Sequence, residues 1–290
     1  MYQRNTIFLL TIFLFFSTAQ AQEYNFTGLL RLNDSLMISY KVQLHEQNGI
    51  VNGHSITDYG GEHETKSLIK GRYSDQTSTL SFSEYGIVYT KSPVEAKDFC
   101  YVNFVGKINS MDATKIDGNF RGKFSDGETC INGELVLMND EQMNKISQKI
   151  DKKIQKKKKL KKYADQEISI KKAMDTISQS QLKSGEKLSF FSKATNLTLV
   201  LDDAGEADGD RVTISQNGNV ILRNQLIAKE PKELRLVIDQ YPTIIKVSAL
   251  NSGEIAPNTI NIQLKDQDKL LKTLSNLKAG ESSQLIIRQP

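Results

Sequence analysis

Apolar and polar residues alternate with a period of two along much of residues 24–138. Ile38, Tyr40, Val42 and Leu44 are interleaved with Ser39, Lys41, Gln43 and His45, the pattern of a strand with one buried face. Asn48-Gly49 comes next, and that dipeptide favours the turn of a two-residue hairpin. Further strands are predicted at 67–73, 79–82, 86–90, 99–108, 115–124 and 130–138. Asp75-Gln76, Ser83-Glu84, Asp112 and Asp126-Gly127 supply the breaks. Helical periodicity is missing here, so the economical fold is an antiparallel meander, either a barrel or a sandwich.

The texture changes at Asn139. Asn139 or Asp140 can cap a helix, and Met143, Ile146, Ile150 and Ile154 then recur at three- and four-residue spacing. The apolar stripe stops after Ile154, inside a run from Lys152 to Lys162 that holds eight lysines in eleven residues. Lysines four apart, such as Lys153 with Lys157, oppose a helix by about 0.2–0.5 kcal/mol per pair. The expected element is a helix packed by its first half, with a solvated, basic second half. Strand patterns return at 188–191, 196–201, 211–216, 220–222, 233–238, 244–250, 259–264 and 284–288, with Asn217-Gly218 as a second hairpin signal. That density of short strands fits a β-sandwich. Residues 269–278 suit a short helix or a strand equally. The chain is therefore expected to be mainly β: an N-terminal antiparallel domain over 22–138, a Lys-rich helical linker over 139–180, and a C-terminal β-sandwich over 181–290.

The first residues set the compartment. Arg4, an unbroken apolar run over 7–16 and Ala19-Gln20-Ala21 have the layout of a secretory signal peptide over 1–21. The run is about half of the roughly 20 residues that a spanning helix needs. An exported protein of the periplasm or exterior is expected, with no membrane span in the mature chain. The net charge of +4 is unevenly spread. Residues 22–138 carry 11 basic against 15 acidic side chains, 139–192 carry 14 against 7, and 193–290 carry 12 of each. Export favours a disulfide between Cys100 and Cys130, worth about 3–4 kcal/mol in the loop-entropy account. Two buried thiols are the alternative.

Several stretches resemble an uncharacterised family of exported two-domain, β-rich proteins from Gram-negative bacteria. They are 24–30, 57–73 (TDYGGEHETKSLIKGRY), 87–92 (IVYTKS), 99–104 (FCYVNF) and 119–137, then 199–212 (LVLDDAGEADGDRV) and 249–259 (ALNSGEIAPNT). The last two lie in a region that looks like a β module at the ends of several kinds of exported bacterial protein. The resemblance implies the two-domain organisation, and it implies no activity and no catalytic residues.

The strongest candidate chemistry is the acidic cluster Asp202, Asp203, Glu206, Asp208 and Asp210. Hard oxygen ligands close together on a turn suit Ca2+, and Gly205 and Gly209 let the backbone fold round an ion. The EF-hand spacing fails, because Ala204 stands where its first Asp belongs and Ser215 where its closing Glu belongs. A polar interstrand loop whose Asp side chains bond to nearby backbone is the commoner meaning of such a cluster. His45, His54 and His63, with Glu64 or Asp58, have zinc-ligand chemistry, but exposed loop histidines are commoner. Gly53-His54-Ser55-Ile56-Thr57 only partly echoes a serine-hydrolase elbow, and phosphate- and dinucleotide-binding motifs are missing. The run from Lys152 to Lys162 offers itself to an anionic polymer or an anionic membrane surface. Nucleic acid is not expected, since the protein is exported and no aromatic residue interleaves the lysines. A solvated spacer face is the plainer reading of that run. The leading expectation is a non-catalytic binding or scaffolding protein. The alternatives are a carrier of a small apolar ligand in a lipocalin-like barrel, lined by Tyr40, Tyr73, Phe82, Tyr89, Phe104 and Phe120, and a hydrolase of unfamiliar type.

Overall fold

The computed structural model describes residues 22–32, 36–156 and 180–290. The signal peptide expected over 1–21 and the lysine run beyond Lys156 lie outside these residues. Eight strands open the chain: β1 (Gln22–Arg31), β2 (Met37–Gln47), β3 (Ile50–Thr57), β4 (Thr65–Ser74), β5 (Thr79–Thr90), β6 (Tyr101–Lys107), β7 (Lys115–Lys123) and β8 (Thr129–Asn139). Each pairs antiparallel with the next, and β8 returns to β1. The meander is thus a closed barrel, which leaves no free edge along its ring. The Asn48-Gly49 hairpin forms as the sequence predicts, with φ of 54° and 78° at the two residues.

Inward positions of the barrel carry Phe26, Tyr40, Leu44, Phe82, Phe104, Phe120 and Leu137, each at most 2% exposed. The Phe82 and Phe104 ring centroids are 5.0 Å apart. An eight-stranded barrel is just wide enough for side chains to fill. Of the aromatics considered as a cavity lining, Tyr40, Phe82, Phe104 and Phe120 pack into one cluster, with Tyr73 partly buried against it. Tyr89 belongs to the other core.

One expected break does not exist. Ser83-Glu84 lies inside β5 and does not end it. Glu84 points inward at 6% exposure. Its Oε1 accepts hydrogen bonds from Tyr40 Oη at 2.9 Å and from Ser55 Oγ, and its Oε2 accepts the Val102 N–H at 2.8 Å. A carboxylate satisfied in this way can sit in a strand interior, which a reading based on charge alone misses. Burial raises its pKa, and the three donors oppose that shift.

Cys100, just ahead of β6, and Cys130, on β8, are bonded, with Cα atoms 6.0 Å apart. The bridge passes close over Gly122 of β7, where an added Cβ would lie 2.3 Å from Cys100 Sγ. Only a glycine leaves that room. Cys100→Ser/Cys130→Ser is expected to lower the unfolding free energy by about 3 kcal/mol, read by urea denaturation with and without reductant. A wild-type curve unmoved by reductant would count against it.

After β8 comes the single described α-helix, α1 (Asp140–Lys156), and Asn139 Oδ1 caps it by accepting the Gln142 N–H at 2.9 Å. Ten more strands follow: β9 (Ser180–Leu182), β10 (Lys187–Phe191), β11 (Asn196–Asp203), β12 (Arg211–Gln216), β13 (Asn219–Leu226), β14 (Lys232–Val237), β15 (Thr243–Ala249), β16 (Asn258–Lys265), β17 (Leu270–Leu277) and β18 (Ser282–Arg288). They form two facing layers, β13-β12-β15-β18-β10 and β14-β11-β16-β17-β9. Residues 270–277, ambiguous in the sequence, are a strand paired antiparallel to β16 and parallel to β9.

The two parts share a strand. Bulges in the β4–β5 register at Lys66/Ser67 and Leu68/Ile69 turn the end of β5 away from the ring, as bulges do. Tyr89 and Thr90 then pair with Phe190 and Ser189 of β10. Val88 and Tyr89 are buried in the sandwich core, among Leu188, Phe190 and Leu271. Lys269 ties the junction, its Nζ donating to the Ile87 carbonyl at 3.0 Å and to the Phe191 carbonyl at 2.8 Å. Lys269→Met is expected to cost about 1–3 kcal/mol, seen as a lower urea midpoint. An unchanged midpoint would mean that the tie is idle.

Candidate metal centre

Along β11 the side chains of Leu197, Leu199 and Leu201 enter the sandwich core, and the alternation carries Asp203 to the same side at the strand's end. Asp202 therefore faces the other way, and its Oδ2 accepts the Asn261 amide at 3.2 Å. Glu206 is exposed in the following loop. The loop then returns Asp208 and Asp210 toward Asp203, with Gly209 between them at φ +93°. One carboxylate oxygen from each of Asp203, Asp208 and Asp210 lies within 4.8 Å of the others. Two oxygens on one ion at the usual Ca–O distance of about 2.4 Å are at most about 4.8 Å apart. Of the five acidic residues in the sequence cluster, the fold converges three and leaves Asp202 and Glu206 outside.

Each of the three carboxylates is held at one end. Asp203 Oδ1 accepts the Gly205 N–H at 2.8 Å, Asp208 Oδ2 the Ile255 N–H at 2.7 Å, and Asp210 Oδ2 the Thr259 N–H at 2.8 Å. The other oxygen of each, Asp203 Oδ2, Asp208 Oδ1 and Asp210 Oδ1, is shielded from solvent and has no hydrogen-bond partner among the described residues. Asp203 is 4% exposed and Asp210 2%. Fully buried Asn258, beside Thr259, also has a partnerless Oδ1. Leaving such oxygens unsatisfied is costly, more so when charged.

Among the described residues one cation pairs with these carboxylates, and it is insufficient. Lys229 Nζ bonds to the carbonyls of Asp203 and Gly205 and lies 3.9 Å from Asp203 Oδ1. Three carboxylates against one ammonium leave a local excess of two negative charges. Burial first, and then the Asp208 and Asp203 charges, push the Asp210 pKa up to about 6, against the Thr259 N–H that lowers it. Gly253, at φ +58°, gives Asp208 its place, since an added Cβ would stand 2.3 Å from Asp208 Oδ1. Comparison with family models, curated proteins and solved structures finds no match. The site is therefore judged on its own geometry. Its donors are all hard oxygens, with no thiolate or imidazole, and this suits calcium rather than zinc or copper.

The other sequence candidates do not assemble. Gln43 stands opposite His54 in the β2–β3 register and Asn52 opposite His45, so these two histidines are diagonal on the outer face. His63 is elsewhere, with Nδ1 3.1 Å from Ser92 Oγ. Glu64 is occupied by the Tyr89 hydroxyl and the Gly60 N–H, and Asp58 by the His63 N–H. Among the described residues, no histidine joins a metal-ligand cluster. Burial first, then Lys66 and His45, lowers the His54 pKa to about 4, so it is neutral at pH 7. Ser55, the residue of the partial elbow, is fully buried inside the barrel against Glu84. It is a packing residue there, with no histidine beside it in the Ser55–Glu84–Tyr40 group. Sequence reading did not find Lys229, because it meets Asp203 only after distant segments are brought together.

Proposed function

We propose that this chain is an exported, non-catalytic binding or scaffolding protein whose C-terminal sandwich holds one calcium ion between Asp203, Asp208 and Asp210. The observation that carries the reading is the convergence of three carboxylates, two on buried residues and one on half-buried Asp208, each with one oxygen fixed by a backbone N–H and one left without a partner among the described residues. Calcium accepts carboxylates, carbonyls and water in irregular geometry, which suits a strand end and a loop that do not form a regular motif. The ion would lock the 204–210 loop to the end of β11, with the 250–257 loop tied on through the Ile255 N–H to Asp208, and stiffen one end of the sandwich, where loops commonly carry recognition. Export is supported by the layout of residues 1–21 and is compatible with the Cys100–Cys130 bridge. No described helix is long and apolar enough to cross a membrane. The non-catalytic half of the reading draws on Ser55 and Glu84, which bond to each other inside the barrel, and on His63, which is engaged apart from them with Ser92.

Calorimetric titration of chelator-stripped protein with CaCl2 tests the reading. One ion per chain is expected in the wild type, with binding lost in Asp208→Asn. Absence of calcium uptake at millimolar concentration would remove the metal. Turnover of an ester, glycan or peptide that disappears on a single point substitution would remove the non-catalytic claim.

A further inference from the structure

The outer barrel face across β4–β7 carries a concavity of about 670 Å3. Its lining follows from the strand register. Lys70 pairs with Ser83, Ser83 with Asn103, and Asn103 with Arg121, which makes one row across four strands. Arg72, Ser81, Val105 and Asn119 form the neighbouring row in the same way. Lys123 extends the β7 side. With strands about 4.8 Å apart, the cations of β4 and β7 are roughly 14 Å apart across a floor of hydroxyls and amides.

No carboxylate lines this groove. Lys70, Arg72, Arg121 and Lys123 form no ion pair among the described residues. Lys70 rests over the Tyr85 ring, 5.1 Å from its centroid. The segregation is notable because residues 22–138 carry more acidic than basic side chains, 15 against 11. Four of those eleven cations collect where no acid neutralises them.

We infer that the β4–β7 groove docks an acidic polysaccharide, with Lys70, Arg72, Arg121 and Lys123 meeting its charged groups. Ser81, Ser83 and Asn119 meet its hydroxyls. Asn103 spends its amide N–H groups on the carbonyls of Tyr101 and Arg121, at 3.1 and 3.2 Å, which leaves its Oδ1 to accept from a sugar hydroxyl. A single-stranded nucleic acid would want exposed aromatic rings to stack on. The lining rings Phe82, Phe104 and Phe120 are at most 2% exposed and point into the barrel, which leaves half-exposed Tyr85, under Lys70, in place of a row of stacking rings. A membrane surface would want apolar side chains to insert, and this concave face offers only Val105. The inference does not depend on the calcium site.

The test is binding of the full chain to polygalacturonate and to heparin oligosaccharides, which separate carboxylate from sulfate as the recognised group. Single-stranded DNA and phosphatidylserine vesicles serve as competitors. Lys70→Ser/Arg72→Ser/Arg121→Ser/Lys123→Ser is expected to weaken binding about tenfold or more. The charge-matched variant Lys187→Ser/Lys193→Ser/Lys232→Ser/Lys246→Ser, on exposed sandwich positions, is expected to bind as wild type. Chelation of calcium is expected to leave binding intact, which separates this result from the fate of the metal reading. If the fourfold groove variant fails to fold, Lys70→Ser/Arg121→Ser replaces it, with a smaller loss expected. Equal loss in the charge-matched variant, competition by DNA or vesicles as strong as by either polysaccharide, or no binding at low salt would overturn the inference.

Discussion

Calcium is expected to raise the unfolding free energy of chelator-stripped protein by about 4 kcal/mol when free ion reaches about 1,000 times its Kd. The gain arises because the ion binds a native cluster that the unfolded chain does not have. The sharper test lies in the order of the variants. Without calcium, Asp210→Asn is expected to be more stable than wild type. It removes one of three mutually repelling charges, and its Oδ1 still accepts the Thr259 N–H. With calcium, the order reverses, because the variant has lost an anionic ligand. The pH dependence of stripped wild type follows the same sign. The Asp210 carboxyl is raised in the fold to about 6, whereas an unfolded Asp titrates near about 3.9. The native state thus holds the extra proton between those values, and stability falls as pH rises through them. Urea denaturation from pH 4 to 7 in chelator reads this slope. Variants that keep their order when calcium is added would falsify the metal assignment.

Glu84→Ala is expected to destabilise the barrel by about 3–5 kcal/mol. The loss strands three donors in a dry interior: the Tyr40 hydroxyl, the Ser55 hydroxyl and the Val102 N–H. The cost is less than three separate penalties, since the hydroxyls can turn while the backbone N–H cannot. Glu84→Gln is expected to fall between, because its carbonyl can serve Tyr40 and Ser55 while its amide faces the Val102 N–H, donor against donor. Guanidinium unfolding of both variants gives the ranking. Equal stability of Glu84→Ala and wild type would mean that the buried carboxylate contributes nothing.

Much of the architecture could be read directly from local pattern. The Asn48-Gly49 and Asn217-Gly218 turns both form with φ > 0 at each residue, and the alternation at 38–44 does bury Tyr40, Val42 and Leu44. Asn139 caps α1 by its side chain, as its position suggests. Where the reading failed, the missing information was non-local. Glu84 looked like a strand break because its charge is visible in sequence and its three donors, from β2, β3 and β6, are not. Residues 270–277 carry leucines at spacings that either helix or strand accepts, and only pairing with β16 and β9 decides between them. The metal cluster was half legible: the acids were found together, but the strand period that turns Asp202 away from Asp203 was not applied at the end of β11. Lys229, some twenty residues further on, has no sequence mark that joins it to them.

The strand shared between barrel and sandwich separates covalent connection from mechanical connection. The chain passes from one part to the other through residues 140–179, yet the parts are held together through the end of β5, a segment that precedes that passage by some fifty residues. Excising the sandwich at the linker would therefore leave its core without the side chains of Val88 and Tyr89. The barrel would keep a strand end shaped for an absent neighbour. A cut in the linker of the intact protein is a different operation, since it severs the backbone and leaves the load-carrying contact in place. Force or displacement applied to one part reaches the other through β5 and the contacts beside it, Lys91 with Glu186 and Phe99 with Phe191, so the length of the linker does not set how far apart they move.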